Sequence, residues 1–148
     1  MSREDILDRI LYCYFLEQLF SVATGRLDKL FSVLILILGS SVIFNFNPLI
    51  SGIGIVIISS IQTTYEFGKK SGNAGRKAAE YLLLYDDANE HNDTELKTKL
   101  HVLEKTDENI WSSLKDIAIL KTQIKIGIPA KHQTKLSLHS RLLRLICG

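Results

Sequence analysis

Residues 30–65 read LFSVLILILGSSVIFNFNPLISGIGIVIISSIQTTY, a run without one Asp, Glu, Lys, Arg or His. As a single helix these 36 residues would rise about 54 Å, whereas a hydrocarbon core is only about 30 Å thick. One straight crossing is therefore too long. The break comes from Asn45-Phe46-Asn47-Pro48: proline disfavours helical geometry in the residue before it and suits the first turn of a new helix. Asparagine tolerates turn conformations and bonds its own backbone. The stretch reads as two apolar arms, Leu27–Phe44 and Pro48–Tyr65, joined by a tight turn at 45–48.

Charge flanks the arms on one side only. Arg26 and Lys29 precede the first arm, Lys69, Lys70, Arg76 and Lys77 follow the second, and the turn has none. Lysine and arginine next to membrane helices favour the cytoplasmic side, so two crossings would leave both termini in the cytoplasm and the turn outside. The alternative is a water-soluble bundle in which other helices wrap a central hairpin that is apolar all round. Only about 80 residues are left for that wrapping, which is thin cover for two such helices.

Polar groups within the arms are small. Gly39, Ser40, Ser41, Ser51, Gly52, Gly54, Ser59 and Ser60 are the candidates for close helix packing or for lining a pore, since small residues let membrane helices approach and hydroxyls bond across them. No charged ring marks a dedicated transporter or a finely selective channel. A crude pore needs none.

Around the hairpin the pattern is helical. Ser2 with Asp5 approximates a capping box, and Ile6, Leu7, Ile10, Leu11, Tyr14, Phe15 and Phe20 give residues 1–25 an amphipathic helix that Gly25 ends. After the second arm, Gly68, Gly72 and Gly75 weaken the next helix, each by about 1 kcal/mol against Ala, and offer a place to bend. His91-Asn92-Asp93 reads as a turn with Asp93 as the following cap. Beyond it, Leu96, Leu100, Leu103, Ile110, Leu114, Ile117 and Ile124 step by fours and threes, a coiled-coil-like seam interrupted by Asp107 and Lys121. That seam either closes a helical hairpin within residues 66–128 or joins copies of the chain. From Ile117 to Gly148 there are six Lys and Arg and no acid. The 129–148 segment is basic and amphipathic, with Lys131, Lys135, Arg141 and Arg144 as candidate contacts for anionic lipid or a phosphate-bearing ligand. An ordinary helix docked by its leucines is the other reading.

The fold class that follows is all-α: a two-span transmembrane hairpin at 26–65, an N-terminal amphipathic helix, a cytoplasmic coiled-coil-like hairpin and a basic tail. With 148 residues, 46% of them hydrophobic, 23% charged, and a net charge of +2, the averages hide this segregation. Asp8, Arg9 and Glu17 interrupt the N-terminal apolar run, so a cleaved signal peptide is not expected. Cys13 and Cys147 belong to no CxxC and suggest free thiols in a reducing compartment. No phosphate loop, dinucleotide fingerprint, zinc-protease helix or nucleophile elbow occurs. The histidines, His91, His101, His132 and His139, are scattered in polar contexts. Neither an enzyme nor a cofactor or metal site is expected, and no nucleic-acid-binding platform is evident.

One resemblance gathers these features. A Tyr/Phe-rich helix leads into two crossings with a short turn. Lys77-Ala78-Ala79-Glu80-Tyr81-Leu82-Leu83-Leu84 follows, then a helix bearing Trp111-x-x-Leu114 ahead of Ala118. Over about Ile10–Ile124 this arrangement resembles the SMODS and SLOG-associating two-transmembrane (SLATT) effector family; the basic tail lies outside it. The resemblance implies a homo-oligomer in the inner membrane that permeabilises it during bacterial antiviral defence, prompted by a sensor or nucleotide-signalling partner. A non-pore membrane anchor or adaptor, or a holin-like or immunity protein, are the alternatives.

Overall fold

Two capping boxes and one proline set the helix starts. Ser2 accepts from the Asp5 amide at 3.2 Å while Asp5 accepts from the Ser2 amide at 2.6 Å, opening α1 (Arg3–Gly39). Pro48 occupies the first turn of α2 (Pro48–Tyr65), with Asn47 accepting from the Leu49 amide at 3.0 Å. In the computed structural model, which describes residues 2–40, 47–107 and 110–147, four more helices follow: α3 (Phe67–Asp86), α4 (Asp93–Glu104), α5 (Lys115–Lys125) and α6 (Leu138–Cys147). Short 3-10 turns lie at Asp87–Glu90, Ser112–Leu114 and Ala130–His132. No strand occurs among the described residues; the fold is all-α. Of the turn expected at 45–48, Asn45 and Phe46 lie outside the described residues, as does Ser41.

The 37 residues of α1 form one spine, about 55 Å long. Gly25 does not end it. The reason lies in α3: a β-carbon at Gly25 would stand 2.7 Å from Ser71 Oγ, and one at Gly75 3.1 Å from Ser21 Oγ. Ser21 and Ser71 each donate to the other's backbone carbonyl at 2.8 Å. Small residues on both helices thus bring α1 and α3 close together, and that packing outweighs the helix-breaking tendency of glycine. Gly68 likewise faces Asp28, 3.2 Å from where its β-carbon would be, so Gly68 and Gly75 serve contact; only Gly72 faces open space. The helix is interrupted not at these glycines but at Glu66. This is the one described non-glycine residue with positive φ, at 47°, and it closes α2 in a left-handed conformation.

Two apolar clusters lie at different levels along α1. The lower joins Ile6, Ile10 and Cys13 to Tyr81, Leu84 and Ala88 of the α3 end and to Leu96 and Leu100 of α4. The upper joins Leu19, Phe20 and Ala23 to Ala74, Leu114, Ile117, Ala118 and Cys147. This division explains why the heptad-like seam is not one helix. Its first half, with Leu103 at the edge, serves the lower cluster; its second half, with Ile110 at the edge, serves the upper. Between them the chain leaves helical geometry after Glu104. A long coiled coil would expose one set to reach the other. The seam residues Leu96, Leu100, Leu114 and Ile117 are buried in the chain's own core, so they are not free to join copies of it, and Ile124 is exposed.

The α4 start is shifted by one residue from expectation. Asn92 is the cap, exchanging bonds with Glu95, while Asp93 pairs with Arg3 at 2.7 Å. Arg3 also donates to the Ala88 and His91 carbonyls, tying α1 to the α3–α4 connection.

Candidate functional site

Beyond about Leu27, α1 leaves the bundle and runs antiparallel to α2. Gln62 Nε2 donates to Asp28 Oδ1 at 2.9 Å and to Ser32 Oγ at 3.2 Å, and further out Leu38 lies against Gly54. A β-carbon on Gly54 would meet Leu38 Cδ1 at 3.1 Å. The hairpin base is therefore polar and bonded, and its length is held by apolar contact.

Among the described residues its outer face is uncovered. Leu30, Val33, Leu36, Ile37, Leu49, Ile50, Ile53, Val56 and Ile57 are all half exposed or more. Among the described residues no other helix of this chain wraps the pair, so the chain does not cover its own hairpin. The run Pro48–Glu90 is long and apolar enough to cross a membrane by length and composition, and only 6% of its most apolar window is buried.

Seven of the eight small residues singled out in the arms lie among the described residues, Ser41 being the exception, and they divide by environment. Ser51 is buried and Gly54 packs on Leu38, so these two serve the hairpin itself. Ser40 and Ser60 donate to the carbonyls of Leu36 and Val56 at 2.8 and 2.7 Å, satisfying hydroxyls within their own helices. Gly39 and Gly52 are exposed, and a β-carbon at either would meet no described residue within 4 Å. Gly52 also belongs to a shallow apolar groove of about 360 Å³ with Pro48, Leu49, Ile53, Val56 and Ile57. Ser59 is partly exposed.

At the base, aromatic rings and cations gather. Phe67 stacks on Tyr65 with centroids 5.5 Å apart and planes 11° from parallel, and Phe31 meets Phe67 at 5.5 Å. Lys70 Nζ lies 5.9 Å from the Tyr65 ring centre, and Lys69 pairs with Glu66 at 3.1 Å. The amphipathic Tyr65 ring with basic side chains at the end of an apolar helix suits a headgroup boundary.

A second polar assembly, which the seam pattern only hinted at through Asp107, sits where α1, α3 and α4 meet. Asp107 accepts from Lys77 Nζ and from the Tyr81 hydroxyl, both at 2.8 Å. Arg9 grips Glu104 through two bonds of 2.5 and 2.9 Å, and Cys13 Sγ lies 4.0 Å from Glu104. Burial, reinforced by Glu104 and Asp107, pushes the Cys13 thiol up to about 12. Burial and the bond to Asp107 raise the Tyr81 hydroxyl too. Both groups keep their protons at neutral pH, so Cys13 is a poor nucleophile there. The assembly fastens the end of α4 to the spine. Glu17, on α1, is a buried carboxylate that sequence reading passed over as a mere interruption.

The tail is docked. Cys147 and Ser140 are buried and Leu143 packs on the upper cluster, while Lys131, Lys135, Arg141 and Arg144 all face outward. His91 sits 2.7 Å from Lys99, and the remaining histidines are exposed. Among the described residues no group of three or more His, Cys, Asp and Glu is placed to hold a metal. No family model, curated protein or solved structure matches this chain.

Proposed function

We propose that the chain is a membrane effector: its two arms cross the bacterial inner membrane as a hairpin, and copies associate through the outer hairpin faces to permeabilise it. The outward exposure of the hairpin's aliphatic side chains supports this most directly. Nine large apolar side chains of the arms are at least half exposed, and at about 1 kcal/mol apiece for the uncovered half they represent about 10 kcal/mol in water. That rivals the whole stability of an ordinary domain, about 5–15 kcal/mol. Lipid removes the penalty. The 18 residues of α2 rise about 27 Å, close to the thickness to be crossed.

Arg26, Lys29, Lys69 and Lys70 at the hairpin base favour a cytoplasmic bundle, with both ends of the chain on that side. Gly39 and Gly52, outward and unobstructed, offer places for a second copy's helix to approach. The bundle, whose seam leucines are occupied internally, would receive a signal rather than hold the oligomer together. A role in antiviral defence, with a sensor or nucleotide-signalling partner, accords with the resemblance to SLATT effectors. A second reading, a non-pore anchor whose bundle binds a partner, draws on the exposed Leu83 and Val102 beside the α3–α4 cleft.

The test is membrane potential, followed with a voltage-sensitive dye during induced expression in bacteria. Depolarisation should accompany growth arrest. Gly52→Leu, which adds bulk on the outer face, should prevent it while leaving the protein in the membrane fraction. Arrest at unchanged potential would remove the pore reading and favour the anchor.

A further inference from the structure

Helix α6 looks two ways. Ser140, Leu143 and Cys147 turn inward, whereas Leu138, Leu142 and Leu145, spaced i, i+4, i+7, are 77%, 62% and 81% exposed. Beside that leucine face lies an open cavity of about 800 Å³ whose lining includes Lys135, Arg141 and Arg144, with Gln133 and Thr134 among its polar walls and Leu120 among its apolar ones. Lys121 lies close enough to Arg144 that burial, and then this second cation, pull its ammonium below the ordinary lysine range. Among the described residues, none of these four cations has a carboxylate within 4 Å. A positive cavity next to an uncovered apolar stripe matches a ligand that is anionic at one end and hydrocarbon at the other.

Its level along the spine completes the match. Arg26 donates to the Ile146 carbonyl, holding the end of α6 to α1. Arg26 precedes Leu30, where the uncharged run begins, by about 6 Å of helix. The headgroup layer outside the hydrocarbon is itself about 5–8 Å deep.

We propose that α6 and residues 130–136 bind the phosphate of an anionic phospholipid headgroup in the cytoplasmic leaflet, with Leu138, Leu142 and Leu145 against its acyl chains. This rests on the hairpin reading, and the test separates the two. The full chain carrying Leu142→Cys or Ile53→Cys is nitroxide-labelled and reconstituted into vesicles of phosphatidylcholine, with or without an equal part of phosphatidylglycerol. Cys13 and Cys147 are buried thiols that resist labelling at neutral pH, which the unsubstituted chain verifies. Relative collision rates with oxygen and with a water-soluble nickel complex give depth.

The Ile53→Cys label should lie deep in both lipids, and the Leu142→Cys label should enter the headgroup layer only with phosphatidylglycerol. Neutralising Lys135, Arg141 or Arg144 to Gln should lower the immersed fraction by roughly fivefold per charge, and Arg141→Lys with Arg144→Lys should restore most of it. A Leu142→Cys label in water in both lipids, with Ile53→Cys deep, overturns the lipid site alone. An Ile53→Cys label in water overturns both readings. Release of the Leu142→Cys label by inorganic phosphate overturns the assignment to lipid in favour of a free phosphate ligand.

Discussion

At Gly25 the missing β-carbon is what lets α1 and α3 touch, since any larger residue there would press on Ser71 Oγ. Gly72 has no such neighbour. Gly72→Ala should therefore raise stability by about 1 kcal/mol, a Tm gain of roughly 3 °C. Gly25→Ala should give no gain or a loss, and equal gains in the two melts would show that the close contact is absent. A glycine as a stop signal was legible in the sequence; a glycine as a contact point was not, because its partner lies 46 positions away at Ser71. Cys13 supplies a second residue-scale test. Its thiol ionises near 9.0 when unfolded and is pushed up to about 12 by the fold. The folded state therefore holds the proton more tightly, so its contribution is complete below about pH 9 and lost as pH rises toward 12. Stability should fall through that window by up to about 1.4 kcal/mol per pH unit from this group. In denaturant titrations Cys13→Ala should flatten the slope, leaving a shallower one from Tyr81 above pH 10; an unchanged slope would locate the effect elsewhere.

Among elements, α4 shows how far periodicity carries. Leu96, Leu100, Leu114 and Ile117 were legible as buried, and all four are. What spacing could not tell is that they serve two clusters, because a heptad pattern records which side is apolar and not which neighbour covers it. Asp107, just past the end of α4 and read from sequence only as a polar exception, accepts from Lys77 and Tyr81 and so ties that end to α3. Asp107→Asn weakens one charge-assisted bond and leaves a largely buried ammonium short of its partner. It should cost about 1–3 kcal/mol, and Tyr81→Phe about 1. Limited proteolysis should then cut Asp107→Asn within residues 105–111 sooner than wild type. Protection as strong as wild type would mean that the pair does not hold the connection. The start of α2, by contrast, was readable to the residue, because Asn47 and Pro48 act through local backbone chemistry alone.

For the molecule as a whole, the bundle and the hairpin meet only through the two ends of one insertion. Both apolar clusters are built from residues outside Leu30–Tyr65. Replacing that run by a short Gly/Ser linker should give a water-soluble helical protein with a cooperative melt, while the intact chain should need detergent. A molten or aggregated product would mean that the hairpin contributes to bundle packing. The hairpin's attachments to the bundle are also mechanically unequal. On one side α1 continues without a joint from the bundle to Gly39, and on the other the backbone reverses hand at Glu66. A continuous shaft beside a jointed arm is an unequal mount: were the bundle to rotate, α1 would carry the torque directly, and Glu66 would be where the second arm yields. Twist imposed from below would be felt first as sliding between Leu38 and Gly54.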